Sequence, residues 1–311
     1  WGFDDRASNT VRCEINEINI NDNFYRNNNA IYGNTFSNRT FQEEINISNS
    51  LFDIFNCPDQ NVTGVWVDVD SDAEIEYEGS YGDLCSITND VWVSPSGSDF
   101  SGLATQSSPI KSIKYALEII APADNNPINI FLDDGVYSSV STNESFPINI
   151  ASNINLIGTD SEIDANSSGS VIIMKNCDNN IISGINIQGG LSGGYSGDPG
   201  GGMYLSNSNP VLSNLTIVSN QAPYGGGMYL SNSNPILTDV MMLSNGSFNN
   251  GGGMYLSNSN PTLTNVEISF SIAFTDGGGM YLSNSNPTMN NVTLSNNIAW
   301  AVAGVHHGGG I

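Results

Sequence analysis

From residue 200 onward, apolar side chains recur with period two and break step at fixed intervals. Met203 and Leu205 fall on one side of the chain and Tyr204 and Ser206 on the other, which predicts a strand with one buried face. Leu212, Leu215 and Ile217 can then share that inner face only if the chain turns between Leu212 and Leu215. Asn214 stands at this corner, and Asp239, Asn265 and Asn291 replace it in later units. Asn and Asp tolerate the left-handed backbone that such a corner needs. The units are copies of one another, because GGGMYLSNSNP begins at Gly200, Gly225, Gly251 and Gly277, at steps of 25, 26 and 26 residues. Each unit reads as two or three short strands joined by tight corners. One unit is too small to bury its own apolar residues, so successive units must coil and stack into a parallel β-solenoid. Like residues then lie in ladders at about 4.8 Å. The triple glycines and Asn-Pro breaks exclude helical repeats, and the period is too short for a four-stranded propeller blade.

The rhythm extends backward in weaker form. FPINIASNINLIGTDSEIDA (146–165) and VIIMKNCDNNIISGINIQGG (171–190) repeat the strand, corner, strand order around Gly158 and Gly184. Before them, SSPIKSIKYALEIIAP predicts a helix over about 109–120. Ser108 is its N-cap, Pro109 lies in its first turn, and Ile110, Ile113, Leu117 and Ile120 form its apolar stripe. Its expected task is to cover the first open edge of the solenoid. Residues 1–57 show a similar Asn-punctuated alternation and are expected to be the final coils of a preceding solenoid. Residues 58–90 form an acidic segment, VWVDVDSDAEIEYEG, expected as a β-hairpin linker turning near Ser71. The second solenoid is expected to start over 91–124 and to run through 125–311. Ile311 falls in the slot that Met fills in the repeats, which leads one to expect a piece of a longer tandem protein, or open ends that meet another copy.

Composition narrows the function. The 311 residues carry 7 Lys+Arg against 31 Asp+Glu, a formal charge of −24, while 39% are hydrophobic. Phosphate contacts need clustered cations, and Lys175 is the last Lys or Arg in the chain, so a nucleic-acid partner is excluded. No apolar run is long enough for a membrane-spanning helix, and direct membrane insertion is not expected.

The run VWVSPSGSDFSGLATQSSPIKSIKYALEII, followed by INIFLDDGVYS, NINLIGTDSEIDA and IISGINIQGG, resembles the N-terminal portion of right-handed parallel β-helix proteins of the pectin-lyase-like superfamily. The GGGMYLSNSNPTLTNV units resemble repeats of secreted bacterial β-helix proteins and, more loosely, those of polymorphic outer-membrane proteins. The resemblance covers about 91–311. It implies the right hand of the coil and an extracellular, surface-displayed setting. Lyases of this superfamily use a cationic base with Asp-held calcium, and polygalacturonases use three Asp beside Gly-His-Gly. Here Lys175 is the only cation from residue 125 onward, Gly-His-Gly is absent, and Asp239, Glu267 and Asp276 occupy different registers. A non-catalytic structural solenoid is therefore expected, as part of a surface fibre, stalk or filament assembled from its own copies or further repeats. An adhesin for surface polysaccharide is the alternative, and a polysaccharide lyase or glycoside hydrolase follows it.

Four groups carry candidate chemistry. In the expected hairpin, Asp68 and Asp70 face Glu74, Glu76 and Glu78, and like charges in opposition are destabilising unless a cation lies between them. Calcium is the candidate ion, against a solvated acidic face; no other cofactor is indicated. Cys57 and Cys85 bracket the hairpin and are the candidate disulfide, while Cys13 and Cys177 are expected to stay apart. The outward column Tyr204, Tyr229, Tyr255 and Tyr281 either stacks on itself or presents rings to a glycan or a second copy. The corner column Asn214, Asp239, Asn265 and Asn291 is structural. His306 and His307 are adjacent and would face opposite ways on a strand. Eight Asn-x-Ser/Thr sequons carry little information in so Asn-, Ser- and Thr-rich a chain.

Overall fold

The computed structural model describes residues 87–99, 101–123, 125–193, 198–300 and 308–310, and before them the backbone of nine short strands. The chain divides into two compact units: Trp1–Ile87 with Glu118–Ala121, and Thr88–Leu117 with Pro122–Ile311.

In the first unit, parallel pairing recurs at intervals of a coil. Ile18–Asn19 pairs with Ile45–Asn46, and that strand with Ile75–Glu76. Phe24–Tyr25 pairs with Leu51–Phe52, and Phe36–Asn38 with Val65–Val67. The antiparallel hairpin expected over 65–79 is thereby corrected, because both of its strands run parallel to strands one coil earlier. The physical reason lies in the charge pattern. An antiparallel pairing would set Asp68 and Asp70 against three glutamates, whereas the observed register puts Ile18, Ile45 and Ile75 in one column. Gly2–Phe3 and Val11–Arg12 form an antiparallel pair.

The second unit is a right-handed parallel β-helix of about six turns, built from three walls. The bent wall comprises Val91–Val93, Ile128–Leu132, Ile154–Asp164, Ile181–Gln188, Val211–Val218, Ile236–Leu243, Thr262–Ser269 and Thr288–Ser295, each pairing in parallel with the next. Gly135–Ser138 pairs alongside the second half of Ile154–Asp164. The tyrosine wall comprises Ile148–Ile150, Ile172–Lys175, Met203–Ser206, Met228–Ser231, Met254–Ser257 and Met280–Ser283. The short wall comprises Gln221–Ala222, Gly246–Ser247, Ile272–Ala273 and Ile298–Ala299. Met203, Met228, Met254 and Met280 form one column in register, and all four are fully buried. Leu212, Leu215 and Ile217 are buried beside them, so both halves of the bent wall face one core. Each such side chain contributes about 1.5–3 kcal/mol on leaving water, which no isolated coil could realise.

The repeated phrase has one task per residue. Asn207, Asn232, Asn258 and Asn284 make the first corner with φ between 48° and 50°. Ser208 turns inward, and its N–H donates to the Ser233 hydroxyl at 3.1 Å; Ser233 does the same to Ser259, and Ser259 to Ser285. The side-chain oxygens of Asn209, Asn234 and Asn260 each accept the N–H of the equivalent residue one coil on. Two glycine positions are obligatory. Gly200 and its three counterparts have φ from 61° to 73°, and a Cβ on Gly226 would lie 2.1 Å from the Gly246 carbonyl oxygen.

The helix is shorter than expected and spans Ile113–Ile119. Ile110 instead bridges to Val93, receiving the Ser94 N–H and donating to the Trp92 carbonyl. The cap is Ser112, whose hydroxyl accepts the Tyr115 N–H at 3.1 Å, so Ser108 and Pro109 precede the helix. Ile113 and Ala116 are fully buried, while Leu117 is only half-buried.

Candidate functional site

The outer wall is where a solenoid can recognise anything, since its inside is packed. Among the described residues, the most regular outer feature is the tyrosine column. Tyr229 and Tyr255 stack with ring centroids 4.9 Å apart and planes 19° from parallel, and Tyr255 and Tyr281 repeat this at 4.9 Å and 29°. Tyr204 meets Tyr229 edge-on at 5.5 Å, and the Lys175 ammonium lies 5.5 Å from the Tyr204 ring centre, ending the stack with a cation. Burial pushes the phenols of Tyr229 and Tyr255 up, helped by the neighbouring rings. Tyr229, Tyr255 and Tyr281 thus lie face to face along the column, while Tyr204 meets it by an edge.

The structural corner stands where the alternation placed it. Asn214, Asp239, Asn265 and Asn291 have φ between 52° and 55°. Asn265 donates to the Asp239 carboxylate at 2.9 Å, and Asn291 donates to the Asn265 side-chain oxygen at the same distance. Glu267 accepts from the Ser269 hydroxyl at 2.9 Å. The Asp239 and Glu267 carboxylates are thus engaged with neutral partners on their own wall.

Cys57, Cys85, Cys13, Asp68, Asp70, Glu74, Glu78, His306 and His307 lie outside the described residues, and of Glu76 only the strand backbone is described. Cys177 is buried, with its thiol donating to the Ile150 and Lys175 carbonyls at 3.0 and 3.1 Å, and burial pushes its pKa up. Among the described residues, no three His, Cys, Asp or Glu stand together as a metal site.

Sequence reasoning missed three features. A second aromatic file joins Phe248 to Phe274, stacked at 6.5 Å, and Phe274 to Trp300, edge-on at 5.8 Å. The signal was an aromatic directly after the short wall's serine or alanine in successive units, spread over the unlike residues Phe248, Phe274 and Trp300. The second is a buried asparagine ladder. Asn220 and Asn245 are each 1% exposed, and their amides donate to the Ile187 and Ile217 carbonyls at 3.0 and 2.8 Å. The Asn245 oxygen accepts both the backbone and side-chain N–H groups of Asn220. The third is a groove of about 560 Å³ on the outer bent wall, where Trp92, Phe131 and Ile157 occupy the outward column that Ser183, Ser213 and Thr238 fill later.

Among the described residues, one carboxyl is buried. Glu144 is 4% exposed, its oxygens accept the N–H groups of Ile113 and Lys114 at 2.8 and 3.0 Å, and the Thr142 hydroxyl donates to it at 3.0 Å. Burial raises its pKa to about 7 against the pull of these donors, and Asp99 pushes the same way as burial. Asp99 accepts the next two N–H groups upstream, those of Lys111 and Ser112, so two carboxylates hold the helix start. They read as structural caps.

Compared with known proteins, residues 95–309 match the family described as Protein of unknown function (DUF1565). No curated protein and no solved structure matches the chain.

Proposed function

We propose that this chain, which belongs to the DUF1565 family, is a non-catalytic β-solenoid that serves outside the cell as a rigid spacer in a surface fibre, stalk or filament. The observation that carries this reading is how the repeated outward side chains are used. Tyr stacks on Tyr, Asn bonds Asn, and Ser bonds Ser one coil away, so the residues written most often serve the continuation of the rod. A tyrosine platform for sugar rings would leave ring faces open, and these faces are 4.9 Å from their neighbours. That geometry favours the spacer over an adhesin working through this column. The resemblance of the repeats to those of secreted β-helix proteins supports the extracellular setting.

The test is negative-stain electron microscopy of the purified chain across a salt and calcium series. At a charge of −24, contacts between copies strengthen as repulsion is screened, so rods should lengthen or associate with added salt. Single short particles throughout, together with retention on a glycan array, would replace this reading with the adhesin. Unsaturated sugars released from polyuronate would replace it with an enzyme.

A further inference from the structure

The groove on the first coils has a composition unlike the rest of the outer wall. Trp92 and Phe131 are in register on adjacent strands with ring centroids 4.9 Å apart and planes 31° from parallel, and Ile157 continues the column. Beside this apolar floor the strand Ile128–Leu132 ends in Asp133 and Asp134, both exposed. Their backbone is pinned from within. The Asp133 N–H donates to the Val93 carbonyl at 2.9 Å, and the Tyr137 and Ser161 hydroxyls both donate to the Asp133 carbonyl. The Thr159 hydroxyl then fixes the Asp134 carboxylate at 2.7 Å, while that of Asp133 has no hydrogen-bond or ion-pair partner among the described residues. The result is an open trough of about 560 Å³ with an apolar side and a preset acidic rim.

We propose that this groove receives a lysine or arginine side chain of another polypeptide, with the methylene stem along the Trp92, Phe131 and Ile157 column and the cationic head at Asp133 and Asp134. Charge and shape both select that occupant. Lys and Arg carry an apolar stem ending in a charge, which is the complement of an apolar floor with a carboxylate rim. An anionic ligand would meet the two carboxylates and the −24 charge of the chain. A second copy is a poor donor, since the whole chain has 7 Lys+Arg. The proposal goes beyond the spacer reading and does not depend on it, because a rod needs no acidic aromatic trough on its first coils.

Fluorescence anisotropy on the intact chain tests it, with a labelled peptide carrying one arginine and the same peptide carrying citrulline, the neutral isostere. Binding of the arginine peptide and none of the citrulline peptide is expected, weakening with salt. Asp133→Asn and Asp134→Asn should each weaken it about fivefold, the upper end for one exposed charge pair. Asp239→Asn and Glu267→Gln, carboxylates elsewhere on the same wall, should leave it within about twofold. All four positions are on the outer wall, and unchanged melting confirms folding. The proposal is overturned if the double Asp133, Asp134 variant binds as well as the original chain. Equal losses in the two control variants overturn it in favour of a diffuse acidic field. Tighter binding of free spermidine than of the peptide overturns the polypeptide source in favour of a small amine.

Discussion

Asn245→Leu removes one rung of the buried asparagine ladder while keeping the volume of the slot nearly constant. In the native chain this side chain is 1% exposed and makes three bonds: to the Ile217 carbonyl at 2.8 Å, and from the backbone and side-chain N–H groups of Asn220 at 3.0 and 3.2 Å. The Asn220 amide group keeps its bond to the Ile187 carbonyl, but the buried Asn220 backbone N–H loses its acceptor. An orphaned buried N–H costs about 1–3 kcal/mol, and a lost neutral hydrogen bond about 1 kcal/mol. Burial of the new methyls returns part of this, so a net loss of about 3 kcal/mol is expected. Asn245→Ser should cost less, because a serine already fills the equivalent buried slot one coil on, at Ser271. Urea unfolding followed by far-ultraviolet circular dichroism measures the difference, and amide exchange localises it to Asn220 and its neighbours, since each coil touches only the next. If Asn245→Leu unfolds within about 0.5 kcal/mol of the original chain, internal polar bonding does not set the cohesion of adjacent coils.

Three further outcomes follow from the same geometry. Tyr229→Ser breaks two ring contacts and should cost about 1–3 kcal/mol, whereas Tyr281→Ser, which loses the single contact to Tyr255, should cost less; equal losses in urea unfolding would refute additive stacking. Glu144 has its folded pKa raised from 4.5 to about 7, so its share of stability is present below pH 4.5 and is lost as pH rises towards 7. That lift corresponds to about 3 kcal/mol, and Glu144→Gln should flatten the stability profile between those limits; an unchanged slope would place the pH dependence elsewhere. Buried Cys177, with its pKa pushed up, should resist iodoacetamide until the coil opens, so labelling of that residue in native buffer at the rate of a free thiol would contradict its placement.

The parts of this fold that were legible in the sequence are those governed by period. Alternation placed Met203, Leu205, Leu212, Leu215 and Ile217 in the core, and the Asn and Asp of the corner were readable from the single break in that alternation. What escaped were features that depend on which strand lies beside which. The segment around Val65–Val67 and Ile75–Glu76 alternates as a hairpin would, and only its pairing with Phe36–Asn38 and Ile45–Asn46 reveals coils. The helix start shifted from Ser108 to Ser112 because strand Val91–Val93 captured Ile110 first. The trough at Trp92 and Phe131 was hidden for a related reason. Its residues are 39 apart in sequence and meet only through the register of Val91–Val93 against Ile128–Leu132.

Stacking also accounts for the alphabet in which the repeats are written. An in-register parallel coil sets each side chain about 4.8 Å from its own copy, so a charge at a repeated position would face the same charge above and below. Neutral groups that both donate and accept escape this penalty, and Asn, Ser and Tyr do so by bonding or stacking with themselves. The three carboxylates after Gly200 obey the rule, for Asp239, Glu267 and Asp276 each stand in one coil only. Asp239 has asparagines above and below it in the column, and one of them, Asn265, donates to its carboxylate. Writing the acid into every unit, with Asp at 214, 265 and 291 together, would turn two amide-to-oxygen bonds into carboxylate contacts and should destabilise the chain by more than three single substitutions combined. Added calcium or low pH should restore most of the loss by neutralising the column. If the triple variant melts where the sum of the single variants predicts under all these conditions, like-charge opposition is not what keeps the repeats neutral.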